Sequence, residues 1–191
     1  MSAPLPSLHA QAPEPQPRPM SYDERALLFD CAGEPSVAIV SVPERPDGDT
    51  GLLIVVGGPQ YRIGSHRQFV LLARHVAAHG IPALRFDYRG MGDSLAEPRD
   101  FERVEQDLHC ALELFFREVP TLRRVVLWGL CDGASAICLH APDDPRVAGR
   151  ILVNPWVHTP QTQSATRLKH YYAKRIVSAE FWKRLLQGKV V

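Results

Sequence analysis

Apolar and polar positions along this chain fall into blocks whose period switches between two and about 3.6, the signature of alternating strands and helices. Arg25–Cys31 and Val37–Val42 are short strand-like runs separated by Ala-Gly-Glu-Pro, which predicts an opening antiparallel hairpin. Pro46-Asp-Gly-Asp reads as a turn. Leu52–Val56 is a continuous aliphatic run of the kind buried on both faces of a sheet. The glycine-rich loop GGPQYRIGSHRQ follows. Its ending, Ser65-x-x-Gln68, has the form of a capping box, and Phe69, Leu72, Ala73 and Val76 continue at helical spacing until Gly80 stops the helix.

Ile81–Phe86 is the next strand and runs into DYRGMGDS. Asp100 is placed to cap a helix whose Val104, Leu108, Ala111, Leu112 and Phe115 form one apolar stripe, and Pro120 ends it. Arg124–Trp128 and Ile151–Val153 are further strands, with a helical run, Asp132–His140, between them. Strands and helices alternating at this pitch imply right-handed crossovers. The fold class is therefore α/β, a mostly parallel sheet with helices on both faces.

Composition narrows the function classes. With 191 residues, 45% of them hydrophobic and 23% charged, the chain carries enough apolar material for a real core. A net charge of +1 supplies no basic field, so no nucleic-acid partner is expected. No apolar run reaches the roughly 18 residues of a membrane span. Residues 1–20 are proline-rich, which predicts a disordered tail, and lack the apolar centre of a secretory signal, which predicts a cytoplasmic protein. Cys31, Cys110, Cys131 and Cys138 show no CxxC spacing, so free thiols are expected. Nothing in the pattern asks for a cofactor or a metal.

The chemistry concentrates in VVLWGLCDGASA, where Cys131 sits in a Gly-x-Cys-x-Gly frame between a strand and a helix. Gly129 and Gly133 permit the close backbone approach of a nucleophile elbow. A thiol at a helix N-terminus is favoured as thiolate and suits covalent acyl chemistry. The backbone N–H of Asp132 fits the first oxyanion donor. Gly58 is the choice for the second, because Pro59 has no N–H, with Gln60 or Tyr61 as alternatives. The plainer reading of Cys131 is an ordinary buried cysteine, the reading preferred for the other three. Arg62, His66 and Arg67 flank the loop. Arg62 and His66 are candidates to recognise an anionic substrate group, against a plain role as solvated charge. Asp87, Arg89 and Asp93 read as a structural turn held by Gly90 and Gly92.

The glycine loop, Asp87–Ser94 and Gly129–Gly133, in that order after three successive strands, resemble the α/β-hydrolase fold over residues 24–158. More closely, GGPQYRIGSHRQF, DYRGMGDS, GLCDGASA, NPWVHT and LKHYYAKR resemble the exosortase A system-associated hydrolases, type 1. That resemblance implies a setting in PEP-CTERM protein sorting and exopolysaccharide loci. Dienelactone hydrolases and polyhydroxyalkanoate synthases also place Cys at this elbow, which implies either hydrolysis or acyl transfer. The substrate is then a small acyl ester or thioester, free or carrier-bound.

The fold's order puts an acid after strand seven and a histidine after strand eight. Neither strand is readable beyond Ile151–Val153, and Asn154 stands where some relatives place the acid. His158 and His170 fall in a lid region and read as surface or packing residues. The expectation is a C-terminally truncated chain with core 21–158, strands seven and eight missing, and a lid-like segment 159–191. Residues 167–189 carry seven Lys/Arg against Glu180, which suits a lid or contact with an anionic membrane surface, or else two amphipathic helices packed on the core. An enzyme impaired in this short form is the preferred reading. A catalytically silent binding or accessory protein is the alternative, and a thioesterase working through Cys131 alone is a third.

Overall fold

The computed structural model describes residues 19–57, 60–141 and 143–156. Strands β1 (Tyr22–Cys31), β2 (Glu34–Pro43), β3 (Thr50–Val55), β4 (Ala83–Phe86), β5 (Arg124–Leu130) and β6 (Val147–Val153) form one sheet in the order β1-β2-β4-β3-β5-β6. β1, β2 and β4 pair antiparallel, and β4, β3, β5 and β6 pair parallel. The opening hairpin closes through Ala32 and Gly33, both at positive φ (56° and 82°), the two-residue turn whose twist matches that of paired strands.

Right-handed crossovers decide which face each helix covers. α1 (Gln68–Ala78) links β3 to β4 and lies on one face, where Phe69 meets Trp128 of β5 edge-on with ring centroids 5.7 Å apart. α2 (Glu105–Glu118) and α3 (Asp132–His140) lie on the other face, with Phe115 against Gly51 of β3. The aliphatic run of β3 is sealed between the layers: Leu53, Ile54 and Val55 are fully buried, as are Leu108, Leu112 and Phe115 of the α2 stripe. On the α1 face a cleft of about 410 Å³ opens between Leu72, Val76, Val126, Trp128 and Ile151.

Several expectations need correction. Ser65 does not cap α1. Ser65–Arg67 form a 3-10 turn in which His66 (φ 50°) is left-handed, and Arg67 (φ 62°) leads into the helix with no side-chain cap. The chain reverses sharply out of Gly64 (φ 75°), and the Gln68 amide donates instead to Gln60 Oε1 at 2.8 Å. Asp100 caps a short 3-10 turn, accepting from Glu102 N at 3.2 Å, so α2 begins only at Glu105. The predicted tail lies outside the described residues except at its end, where Met20 N–H donates to Ala78 O at 2.8 Å. β6 is longer than its apolar run, because Val147 also pairs with Val125.

The cysteines depart most from expectation. Cys31 at the end of β1 and Cys110 on α2 form a disulfide, Cα atoms 5.7 Å apart, so only Cys131 and Cys138 are free. The partners are 79 residues apart in sequence, a pairing that spacing alone does not reveal. The described residues through Pro155 belong to one compact unit. His158, His170, the basic stretch 167–189 and the segment 159–191 lie outside the described residues.

Closing so long a loop restricts the unfolded chain. Reduction, or replacement of both Cys31 and Cys110 by alanine, is expected to lower unfolding free energy by about 2–5 kcal/mol. Denaturant titration with and without reductant measures this, and the double variant should not respond to the reductant.

Candidate active site

β5 ends at Leu130 and α3 begins at Asp132, so Cys131 alone makes the turn. Its backbone lies at φ 54°, ψ −116°, a conformation L residues avoid at a cost of about 1–3 kcal/mol. Neighbouring backbone holds it there. Cys131 N donates to Val153 O at 2.9 Å, and Cys131 O accepts from Ser135 N at 2.9 Å. The remaining support is the absence of side chains. A Cβ on Gly129 would stand 2.6 Å from the Gly133 carbonyl carbon, and one on Gly133 would stand 2.2 Å from Val55 O. One on Gly57 would stand 2.1 Å from Gly133 N. The first turn of α3 therefore rests directly on the ends of β3 and β5. Gly57, which the sequence pattern does not set apart from Gly58, is the third member of this contact.

The Cys131 side chain is exposed, with Sγ 3.6 Å from Asp132 Oδ1. Its plainer reading as a buried cysteine does not hold. Asp132 N–H belongs to the first turn of α3, at the positive end of the helix dipole. Gly58 and Pro59 lie outside the described residues. Of the alternatives, Gln60 spends its side-chain oxygen on Gln68 and Ser65 N, and Tyr61 is exposed.

Arg62 is not presented to a substrate anion. Its guanidinium is ion-paired with buried Asp87 and with Asp93, and its backbone N donates to Asp87 Oδ1 at 2.7 Å. Burial pushes the Arg62 group down, but the hydrogen bond to Asp93 and the charge of Asp87 outweigh it and hold the group above the ordinary arginine value. His66 is exposed on the left-handed turn before α1.

Asp87–Ser94 is a structural turn, as its glycines predict, and each polar member has a defined task. Asp87 also accepts from Asp93 N at 3.1 Å. Buried Arg89 grips Asp107 of α2 with Nε and Nη2, both at 3.0 Å, and with its backbone N at 2.8 Å. Ser94 Oγ accepts from Val37 N at 3.0 Å. Beneath the elbow, burial first and the charges of Asp107 and Asp132 second push the Tyr88 phenol well above its ordinary range, so it stays neutral. Among the described residues no cluster of three His, Cys, Asp or Glu is arranged to hold a metal.

A second ionic group, Glu24 with Arg74 (2.7 Å) and Arg85 (3.0 Å), reaches the same region, since Arg85 Nη1 donates to Arg62 O at 3.4 Å. Burial pushes the Glu24 carboxyl up, and the hydrogen bonds from Arg74 and Arg85 outweigh it, leaving the group below its ordinary 4.5. Sequence reading missed Asp107 and Glu24, because their partners lie far along the chain. Only the placement of Asp107 beside Leu108, on the edge of an apolar stripe, hinted at burial.

A mostly parallel sheet with an antiparallel hairpin at one edge, and a strained turn at the C-terminal end of a central strand with a helix leaving it, define an α/β-hydrolase. The family described as Serine aminopeptidase, S33 matches residues 52–189, and the chain belongs to it. Over 91 residues it is 37% identical to the polyketide transferase grgF of Penicillium sp., a match covering 45% of this chain and 31% of the relative. The crystal structure of the α/β hydrolase GrgF from Penicillium sp. sh18 superposes with a TM-score of 0.62 at 25% identity, over 81% of this chain and 54% of that one. The esterase Pf2001 of Pyrococcus furiosus superposes with a TM-score of 0.63 at 14% identity, over 91% of this chain and 70% of that one, a likeness of fold. The chain thus spans about half of the GrgF structure.

Two outcomes follow from this geometry. Gly133→Ala forces a methyl into Val55 O and is expected to cost about 3 kcal/mol, read as a fall in the thermal or denaturant midpoint. The Glu24 carboxyl is depressed in the folded state, so its stabilisation is full above the unfolded value near 4.5 and is lost as pH falls through the folded value. Glu24→Gln should therefore be less stable than wild type at pH 7, with the gap closing below pH 4.5 in urea titrations across pH.

Proposed function

We propose that this chain carries the nucleophile of an enzyme that cleaves an ester or thioester, or passes the acyl group to another acceptor, with Cys131 in that role. The observation that carries the reading is the strained, exposed thiol at the start of α3. Kinship with a polyketide transferase supports acyl chemistry of this class. In the proposed reaction the Cys131 thiolate adds to the acyl carbonyl. The resulting oxyanion is held by Asp132 N–H and by a donor from the β3–α1 loop, with Gly58 still the choice. Collapse expels the alkoxide or thiolate, which takes a proton from water, and leaves a thioester on Sγ whose acyl group water or an acceptor then takes. The acid and histidine of the fold's chain order are not among the described residues.

The motifs shared with the exosortase A system-associated hydrolases support a role beside protein sorting or exopolysaccharide assembly. The rival is a silent binding protein on the same fold, and labelling separates the two, with Cys138, a second exposed free thiol on α3, as the internal control. With iodoacetamide or an acyl-thioester probe followed by peptide mapping, Cys131 is expected to react at least tenfold faster than Cys138, as suits a thiol at the positive end of a helix. Equal rates at the two cysteines would count for the binding protein and against the enzyme.

A further inference from the structure

We infer that Arg62, gripped by Asp87 and Asp93, is a positioning residue that fixes the β3–α1 loop against the elbow and so governs acylation of Cys131 without touching the substrate. The inference rests on the acyl chemistry proposed above.

The backbone leaving β3 is pinned at two places. At Gly57 it lies so close to α3 that an added Cβ would fall 2.1 Å from Gly133 N and 2.6 Å from Asp132 Cβ. At Arg62 the N–H, the carbonyl and the guanidinium are all engaged. The N–H donates to Asp87 Oδ1 at 2.7 Å, the carbonyl accepts from Arg85 Nη1 at 3.4 Å, and the guanidinium bridges Asp87 and Asp93. Asp87 is fully buried, and its two oxygens take the Arg62 N–H, the Arg62 guanidinium and Asp93 N–H. Gly92 (φ 59°) completes the seat, since a Cβ there would stand 2.3 Å from Asp87 Oδ2.

This is an inefficient way to make stability. A buried ion pair contributes little over well-packed apolar groups, and what it adds is a defined geometry. The geometry defined here is that of Gly57 and Arg62, the two anchors that flank the proposed second oxyanion donor. An oxyanion donor works only when held within a few tenths of an ångström of the developing charge, so the fork acts on the transition state through the loop.

The test compares two reactions of one thiol. Acylation of Cys131 by p-nitrophenyl butyrate, followed by mass, builds an oxyanion. Alkylation by iodoacetamide is a displacement at saturated carbon and builds none. Arg62→Ala is expected to slow acylation by about 10–100-fold while alkylation keeps the wild-type rate. Arg62→Lys, which keeps the charge and loses the planar fork, should fall between. Hydrogen exchange should show faster exchange of the Arg62 amide in Asp87→Asn. Wild-type acylation by Arg62→Ala overturns the inference, and so does equal slowing of both reactions, which would mark a collapsed elbow. Where Arg62→Ala does not fold, Arg62→Lys carries the test, and a wild-type acylation rate overturns it. Failure of the underlying acyl reading looks different: Cys131→Ala would then keep the esterase rate whatever residue stands at 62.

Discussion

Backbone packed on backbone at the C-terminal end of the sheet is the constraint from which the site follows. Gly57, Gly129 and Gly133 remove the three side chains that would otherwise part α3 from β3 and β5. Only at that spacing does the chain pass from strand to helix in a single residue, and only then must that residue take the backbone angles of Cys131. The strain at Cys131 is local, whereas what stabilises it is spread along the ends of β3, β5 and β6. Peptide groups in van der Waals contact around Val55 and Gly133, with the two hydrogen bonds to Val153 and Ser135, hold the turn without help from side-chain charge.

Around this apolar and backbone-built centre the loops are fastened by charge. Asp87 ties the β3–α1 loop, Asp107 ties the β4–α2 turn, and Glu24 ties β1 to α1 and β4. All three carboxylates meet arginines, whose planar forks bind two oxygens or two partners at once. The division of labour is physical. Burial of aliphatic strands is non-directional and sets where layers lie, whereas forked ion pairs are directional and set where loops lie.

The elements were legible in the sequence because the apolar runs of β3 (Leu52–Val55) and β5 (Val125–Trp128) are unbroken, and because the stripe from Val104 to Phe115 has a clean helical period. The elbow was legible because two glycines flank Cys131 at the spacing that a strand-to-helix turn requires. What failed to show had non-local causes. Ser65 has the residues of a capping box, yet the turn out of Gly64 sends the chain into the helix from the left-handed region, where the box cannot form. Cys31 and Cys110 meet only because β1 and α2 meet. Arg62 looked like a free cation beside a loop, because nothing local shows that Asp87 and Asp93, on another strand's exit, close around it.

The aim of the residue-131 side chain is set by the main chain, and that side chain projects into the open. An oxygen in place of the sulfur would meet no steric objection from the scaffold. A family described by its serine enzymes can thus include a chain with cysteine at the turn, and one base change can exchange oxygen for sulfur there while the backbone contacts around it stay in place. Exchange of the side chain at this turn leaves the fold undisturbed, because the main chain and not the side chain holds the bend.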